Sequence, residues 1–71
     1  MSIIKFTVEH NGKTYNCERE LEGKKVFYQT VNVIGIGNKK DGKRYDLSNI
    51  YTAQLAAKII AKEIIAASVN T

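Results

Sequence analysis

The chain has no proline, one cysteine (Cys17) and one histidine (His10) in 71 residues. Each scarcity closes a route. One cysteine makes no internal disulfide, and Cys17 with His10 supplies two ligands where a structural zinc site needs four, so no staple or metal cofactor is expected. A lone thiol also suits a reducing compartment. The opening residues, MSIIKF, lack a basic stretch leading into an apolar run, so no signal peptide is expected and a cytoplasmic location is the default. The most apolar segment, AKIIAKEIIAASV, is interrupted by Lys58, Lys62 and Glu63 and is too short to span a bilayer. Nothing resembles a linker, an internal repeat or a low-complexity tract, which leaves residues 1–71 as a single small domain.

What is present is ordinary for a folded chain: 44% hydrophobic and 25% charged residues, which argues against disorder. A domain of this size buries only about 60% of the surface of its unfolded chain, so its stability should be modest unless reinforced, which leaves the hydrophobic core and self-association as the means. The net charge of +4 is mildly basic; where the charge clusters matters more than its sum.

Period-2 alternation marks the first strand, IIKFTVE, with Ile4, Phe6 and Val8 facing one way and Lys5, Thr7 and Glu9 the other. Asn11-Gly12 then signals a two-residue type I′ turn. That turn sets Val8 opposite Tyr15, Phe6 opposite Cys17, Ile4 opposite Arg19, and Lys5 opposite Glu18 on the outer face. A three-residue loop at Leu21, Glu22 and Gly23 would place Cys17 opposite Phe27 and Tyr15 opposite Gln29. The third strand, VFYQTVNVIGI, then turns Phe27, Val31 and Val33 inward and Tyr28, Thr30 and Asn32 outward. Its alternation slips at Val33-Ile34, a slip that a β-bulge at Gly35 or Gly37 would absorb. Asp41-Gly42 is a third hairpin signal, returning the chain through a short fourth strand, KRYDL.

From Ser48 the period changes to that of a helix of about five turns, with Ser48 or Asn49 as its N-cap. The expected fold is α+β: a four-stranded antiparallel β-meander followed by one C-terminal α-helix packed on one sheet face. The helix carries more apolar surface than one sheet face needs. Ala53, Ala56, Ala57, Ile60, Ile64 and Ala67 form a main stripe, while Leu55, Ile59 and Ala66 form a second group well round the cylinder. Either a strongly curled sheet wraps the helix and buries both groups, or the second group is an interface to another copy or another protein.

Few residues carry chemistry. The stretch GNKKDGKR, residues 37–44, matches the spacing of a nucleotide-binding P-loop but has Arg44 where a Mg²⁺-binding hydroxyl belongs, and no helix follows it directly, so no nucleotide is expected. Read as a hairpin tip, it would bring Lys39, Lys40, Lys43 and Arg44 near His10 and Lys13, a cluster able to hold DNA or RNA phosphates. Lysines at hairpin tips also serve simply to discourage edge pairing. The outer face, with Tyr28, Thr30 and Asn32 near Asn16 and Glu18, lacks a pair of stacking aromatics. Tyr45 and Tyr51 flank the helix start as a hydrophobic lock, and Asp46 is placed to cap amides there. Cys17 points inward from mid-strand, far from His10, and the glutamates lie on a solvated face, so no catalytic constellation is expected. The expectation is a non-catalytic interaction protein, self-associating as a homodimer through Leu55, Ile59 and Ala66, with nucleic-acid binding by the basic hairpin end as the alternative.

Overall fold

In the computed structural model, which describes residues 2–69, four strands and one helix follow in the expected order. They are β1 (Ser2–His10), β2 (Lys13–Gly23), β3 (Val26–Val33), β4 (Gly37–Asp46), a 3-10 turn (Leu47–Asn49) and α1 (Ile50–Val69). The strands form one antiparallel sheet in the order β1-β2-β3-β4, and α1 packs on one of its faces, an α+β fold.

The first hairpin has the register that its turn dictates. Asn11 and Gly12 both take positive φ (53° and 78°), and Val8 pairs with Tyr15, Phe6 with Cys17, Ile4 with Arg19 and Lys5 with Glu18. The second turn differs from expectation. Gly23 does adopt positive φ, but it ends β2, and the chain reverses after it at Lys24 and Lys25. Cys17 therefore pairs with Val33, six residues along β3 from the expected Phe27, and Phe27 pairs with Gly23. Six is an even displacement, so the inward set survives: Phe27, Gln29, Val31 and Val33 are all buried.

The turn and the bulge expected near β4 exchange places. The chain reverses at Ile34–Ile36, where Gly35 has a φ of 81°, and Asp41-Gly42 lies inside a strand. A type I′ turn would require positive φ at both Asp41 and Gly42, and neither has it. Instead Asp41 accepts a hydrogen bond from the Lys43 amide at 3.0 Å, and one residue of β3, Tyr28, faces three of β4, Gly42 to Arg44. The local kink is a β-bulge, not a hairpin tip. GNKKDGKR is consequently most of a ten-residue strand rather than a loop before a short one.

Asp46 is the cap of the helical segment, accepting from the Asn49 amide at 3.1 Å and from the Ser48 hydroxyl. It caps amides as its position suggested, and does so two to three residues ahead of Ser48 and Asn49, the expected N-caps, because the chain first makes a 3-10 turn. The buried stripe of α1 is Ala53, Ala57, Ala61 and Ile65, every fourth residue. It is rotated from the expected stripe: Ala56, Ile60 and Ile64 are half-buried and Ala67 is exposed. Three small side chains in line let the helix approach the sheet closely, and the larger Ile60 and Ile64 take the flank. Ile64 reaches over Gly37 at the start of β4.

The core has two parts. Val8, Cys17, Val31 and Val33 pack against Ala57, Ala61 and Ile65, while Phe27, Tyr45 and Ala53 form a smaller cluster in which the two rings stack at 5.9 Å. Gly23 is the position at which this sheet is least forgiving, because a Cβ there would run into the carbonyl oxygen of Val26 at a positive φ that side chains avoid. Gly23→Ala is expected to cost about 2–4 kcal/mol. Gly35→Ala, where a Cβ meets open space, should cost about 1–2 kcal/mol. Urea midpoints of the two variants compare them directly, and equal losses would contradict this account of the second turn.

Candidate interaction surfaces

The inner face contains one arrangement the sequence did not announce. Arg19, only 3% exposed, donates from Nη1 to Gln29 Oε1 at 2.9 Å. The Gln29 amide donates in turn to the Ala53 carbonyl at 2.9 Å and to Asp41 Oδ2 at 3.2 Å. Tyr45 completes the chain by donating its hydroxyl to the same Asp41 oxygen at 2.7 Å. The network lies between the two apolar clusters and joins β2, β3, β4 and α1. Arg19 Nε is buried without a partner. In strand alternation both Arg19 and Gln29 occupy inward positions, and that parity was the signal that could have placed them in the core.

The network perturbs its members. Burial raises the Asp41 carboxyl, but hydrogen bonds from the Lys43 amide, Tyr45 and Gln29, together with the Lys43 charge, outweigh it and hold the group below its ordinary value. Burial first, then the hydrogen bond and charge of Asp41, push Tyr45 up to about 12. Burial also lowers Arg19 and raises the Cys17 thiol, which is an inert packing group among Val8, Val31 and Val33. Among the described residues no group of three or more His, Cys, Asp or Glu side chains is placed to hold a metal ion.

The basic residues expected at one hairpin end are dispersed. Lys13 stands beside the first turn with its ammonium 5.3 Å from the Tyr15 ring centre. Lys39 and Lys40 lie within β4 and point to opposite faces. Lys39 reaches Glu63 of α1 at 3.6 Å, and Lys40 lies 5.4 Å from the Tyr28 ring centre on the outer face. Lys43 and Arg44 sit in the bulge, opposite the end of β3 that follows the Lys24-Lys25 turn, and so at the other end of the sheet from Lys13. The expected tip does not form because Asp41-Gly42 makes a bulge.

The second helical group is on the surface. Leu55 and Ile59 are 47% and 60% exposed, and Tyr51, one turn earlier, is 71% exposed; Ala66 is half-buried. Tyr51 thus does not lock the helix start, a role that falls to Tyr45 alone beneath Ala53. Ile59 lies diametrically opposite the buried alanine ladder, so the sheet does not wrap the helix. Lys58 flanks this ridge on one side and Glu63 on the other.

The sheet face away from α1 is uncovered and mostly polar. Its main depression, about 500 Å³, is open and lined by Lys5, Thr7, Asn16, Glu18 and Ile34 among others. A smaller one of about 180 Å³ lies over Glu18, Glu20, Thr30, Asn32 and Asn38, where Asn32 donates to Glu18 at 3.4 Å. Among the described residues no helix is long and apolar enough to cross a membrane. No family model, curated protein or solved structure matches the chain.

The Tyr45 hydroxyl is protonated in the fold, and its folded value exceeds the unfolded value of 10.0. Its contribution to stability is therefore complete below pH 10 and lost as pH rises through about 12. Asp41 behaves in the opposite sense, contributing above its unfolded value of 3.8 and losing that contribution as pH falls through its lowered folded value. Tyr45→Phe should reduce the alkaline loss of stability, read as the urea midpoint against pH, and should also shrink the acid limb, because it removes one of the hydrogen bonds that lower Asp41. An unchanged alkaline limb would mean that Tyr45 is not the group responsible.

Proposed function

We propose that this chain is a small non-catalytic interaction protein that self-associates through the outward face of α1. The observation that carries the proposal is the ridge of Tyr51, Leu55 and Ile59, three large side chains in successive turns on the face of the helix turned away from its own sheet. A helix with a single apolar stripe needs no such ridge, and in water it is unfavourable unless covered.

A second copy fits the ridge for a further reason. Lys58 and Glu63 flank it on opposite sides and are five residues apart, the spacing at which two parallel helices packed along this seam set each lysine against the other copy's glutamate, which would then be shared with Lys39 of its own chain. Two copies related in this way would place their helices back to back, with the sheets outside. The alternative of nucleic-acid binding has less to support it, since Lys13, Lys39, Lys40, Lys43 and Arg44 do not converge.

Burying a Leu or Ile side chain contributes about 1.5–3 kcal/mol, so replacing Leu55 and Ile59 together by glutamine should weaken self-association at least about tenfold. Both sites are exposed and glutamine is a good helix former, so the fold itself should be unaffected. Sedimentation equilibrium over a wide concentration range measures the change. A parent chain that remains at 8.0 kDa throughout, or a double variant that associates as strongly as the parent, would overturn the proposal.

A further inference from the structure

The two edges of the sheet are built differently. β4 is kinked by its bulge and carries Lys39, Lys40, Lys43 and Arg44, so a second β4 would meet it with like charge. β1 has none of these defences. It pairs with β2 without interruption from Ser2 to His10, contains no proline, and carries one lysine.

The backbone groups on that open edge follow from the first turn. In a two-residue hairpin the residues flanking the turn exchange both backbone hydrogen bonds, so His10, Val8, Phe6 and Ile4 direct theirs to β2. Ile3, Lys5, Thr7 and Glu9 then direct theirs outward. The hydrogen bond from the Ile34 amide to the Asn16 carbonyl, on the far side of β2, agrees with this alternation. The outward residues are also those whose side chains occupy the uncovered face.

Lys5 and Glu9 lie symmetrically about Thr7. Neither takes part in an ion pair or side-chain hydrogen bond among the described residues. Two β1 strands laid antiparallel with Thr7 opposite Thr7 therefore bring each Lys5 opposite the other copy's Glu9. In the same register Phe6 meets Val8 on the inner face, and the pairs that exchange backbone hydrogen bonds are those with outward-directed groups. Displacing the strands by two residues sets Ile3 opposite Glu9, and by four sets Lys5 opposite Lys5. We propose that β1 is a second self-association surface, pairing with β1 of another copy in this Thr7-centred register to make one continuous sheet across a two-fold axis. It is distinct from the helix ridge, and two different two-fold surfaces on one chain carry assembly beyond a dimer, to a closed dihedral oligomer where the two axes intersect and to open rows where they do not.

The test uses the full chain carrying Leu55→Gln and Ile59→Gln, so that the helix ridge does not contribute. In that background the chain should still dimerise, and Glu9→Lys and Lys5→Glu should each weaken dimerisation at least about tenfold by setting like charges opposite one another. An equimolar mixture of those two variants should recover the affinity as mixed dimers, because each then supplies the charge the other lacks. Thr7→Pro removes an outward amide without touching the β1–β2 ladder and should abolish pairing, with circular dichroism verifying the fold. A monomeric background chain, variants that pair as well as their parent, or a mixture that fails to recover would each overturn the proposal. None of these results depends on the helix ridge, whose own failure is read from the parent chain against the Leu55, Ile59 double variant.

Discussion

The Gln29 side chain is the point at which the parts of this molecule meet. It accepts from Arg19 on β2, donates to Asp41 on β4, and donates to the backbone carbonyl of Ala53 on α1. A sheet side chain reaches a helix carbonyl only when the helix sits close, and closeness requires small residues on the facing stripe. Ala53, Ala57 and Ala61 meet that requirement. The height of α1 above the sheet is therefore set by hydrogen-bond length as well as by apolar packing. With small residues inside, much of the helix's bulk is left outside, which is why Tyr51, Leu55 and Ile59 form a surface ridge and not a second core.

The same constraint explains the divided core. Arg19 and Gln29 occupy positions that alternation assigns to the interior, and a polar pair there must be satisfied or it destabilises the sheet. Asp41 satisfies the Gln29 amide through the bulge, whose extra residues turn the carboxylate towards Gln29 and Tyr45, while Arg19 keeps only its bond to Gln29 and leaves Nε without a partner. The bulge is thus part of the interior chemistry. It also kinks one edge of the sheet, so an internal requirement and the asymmetry between the β1 and β4 edges share one cause.

Element order, the first hairpin and the existence of the helix were legible because each rested on two agreeing signals. Asn11-Gly12 agreed with the alternation on both sides of it, and the alanine-rich stretch agreed with its own period. The second and third turns rested on a glycine alone. Gly23 takes positive φ, as a loop glycine would, but does so at a strand end; Asp41-Gly42 has hairpin composition but uses the aspartate to cap Lys43. Local turn chemistry does not state which of two glycines reverses the chain; the buried pairs on the neighbouring strand decide that. The inward residues of β3 were identified despite the wrong register, since an even displacement preserves faces. The exposed position of Leu55 and Ile59 was one of two outcomes the helix pattern allowed. The dispersal of Lys39, Lys40, Lys43 and Arg44 was not legible, because it depends wholly on where the third turn falls.

Every strand pairs with its neighbour in sequence, and the helix comes last. Such a chain can assemble in the order in which it is synthesised, hairpin by hairpin, with short loops to close at each step. Its vulnerable period is the interval before α1, Ile50–Val69, arrives, when Val31, Val33 and Phe27 lack the cover that the helix provides. The nascent sheet then presents a sticky face to its surroundings, and the protein's freedom from misassembly during translation depends on how promptly α1 follows β4.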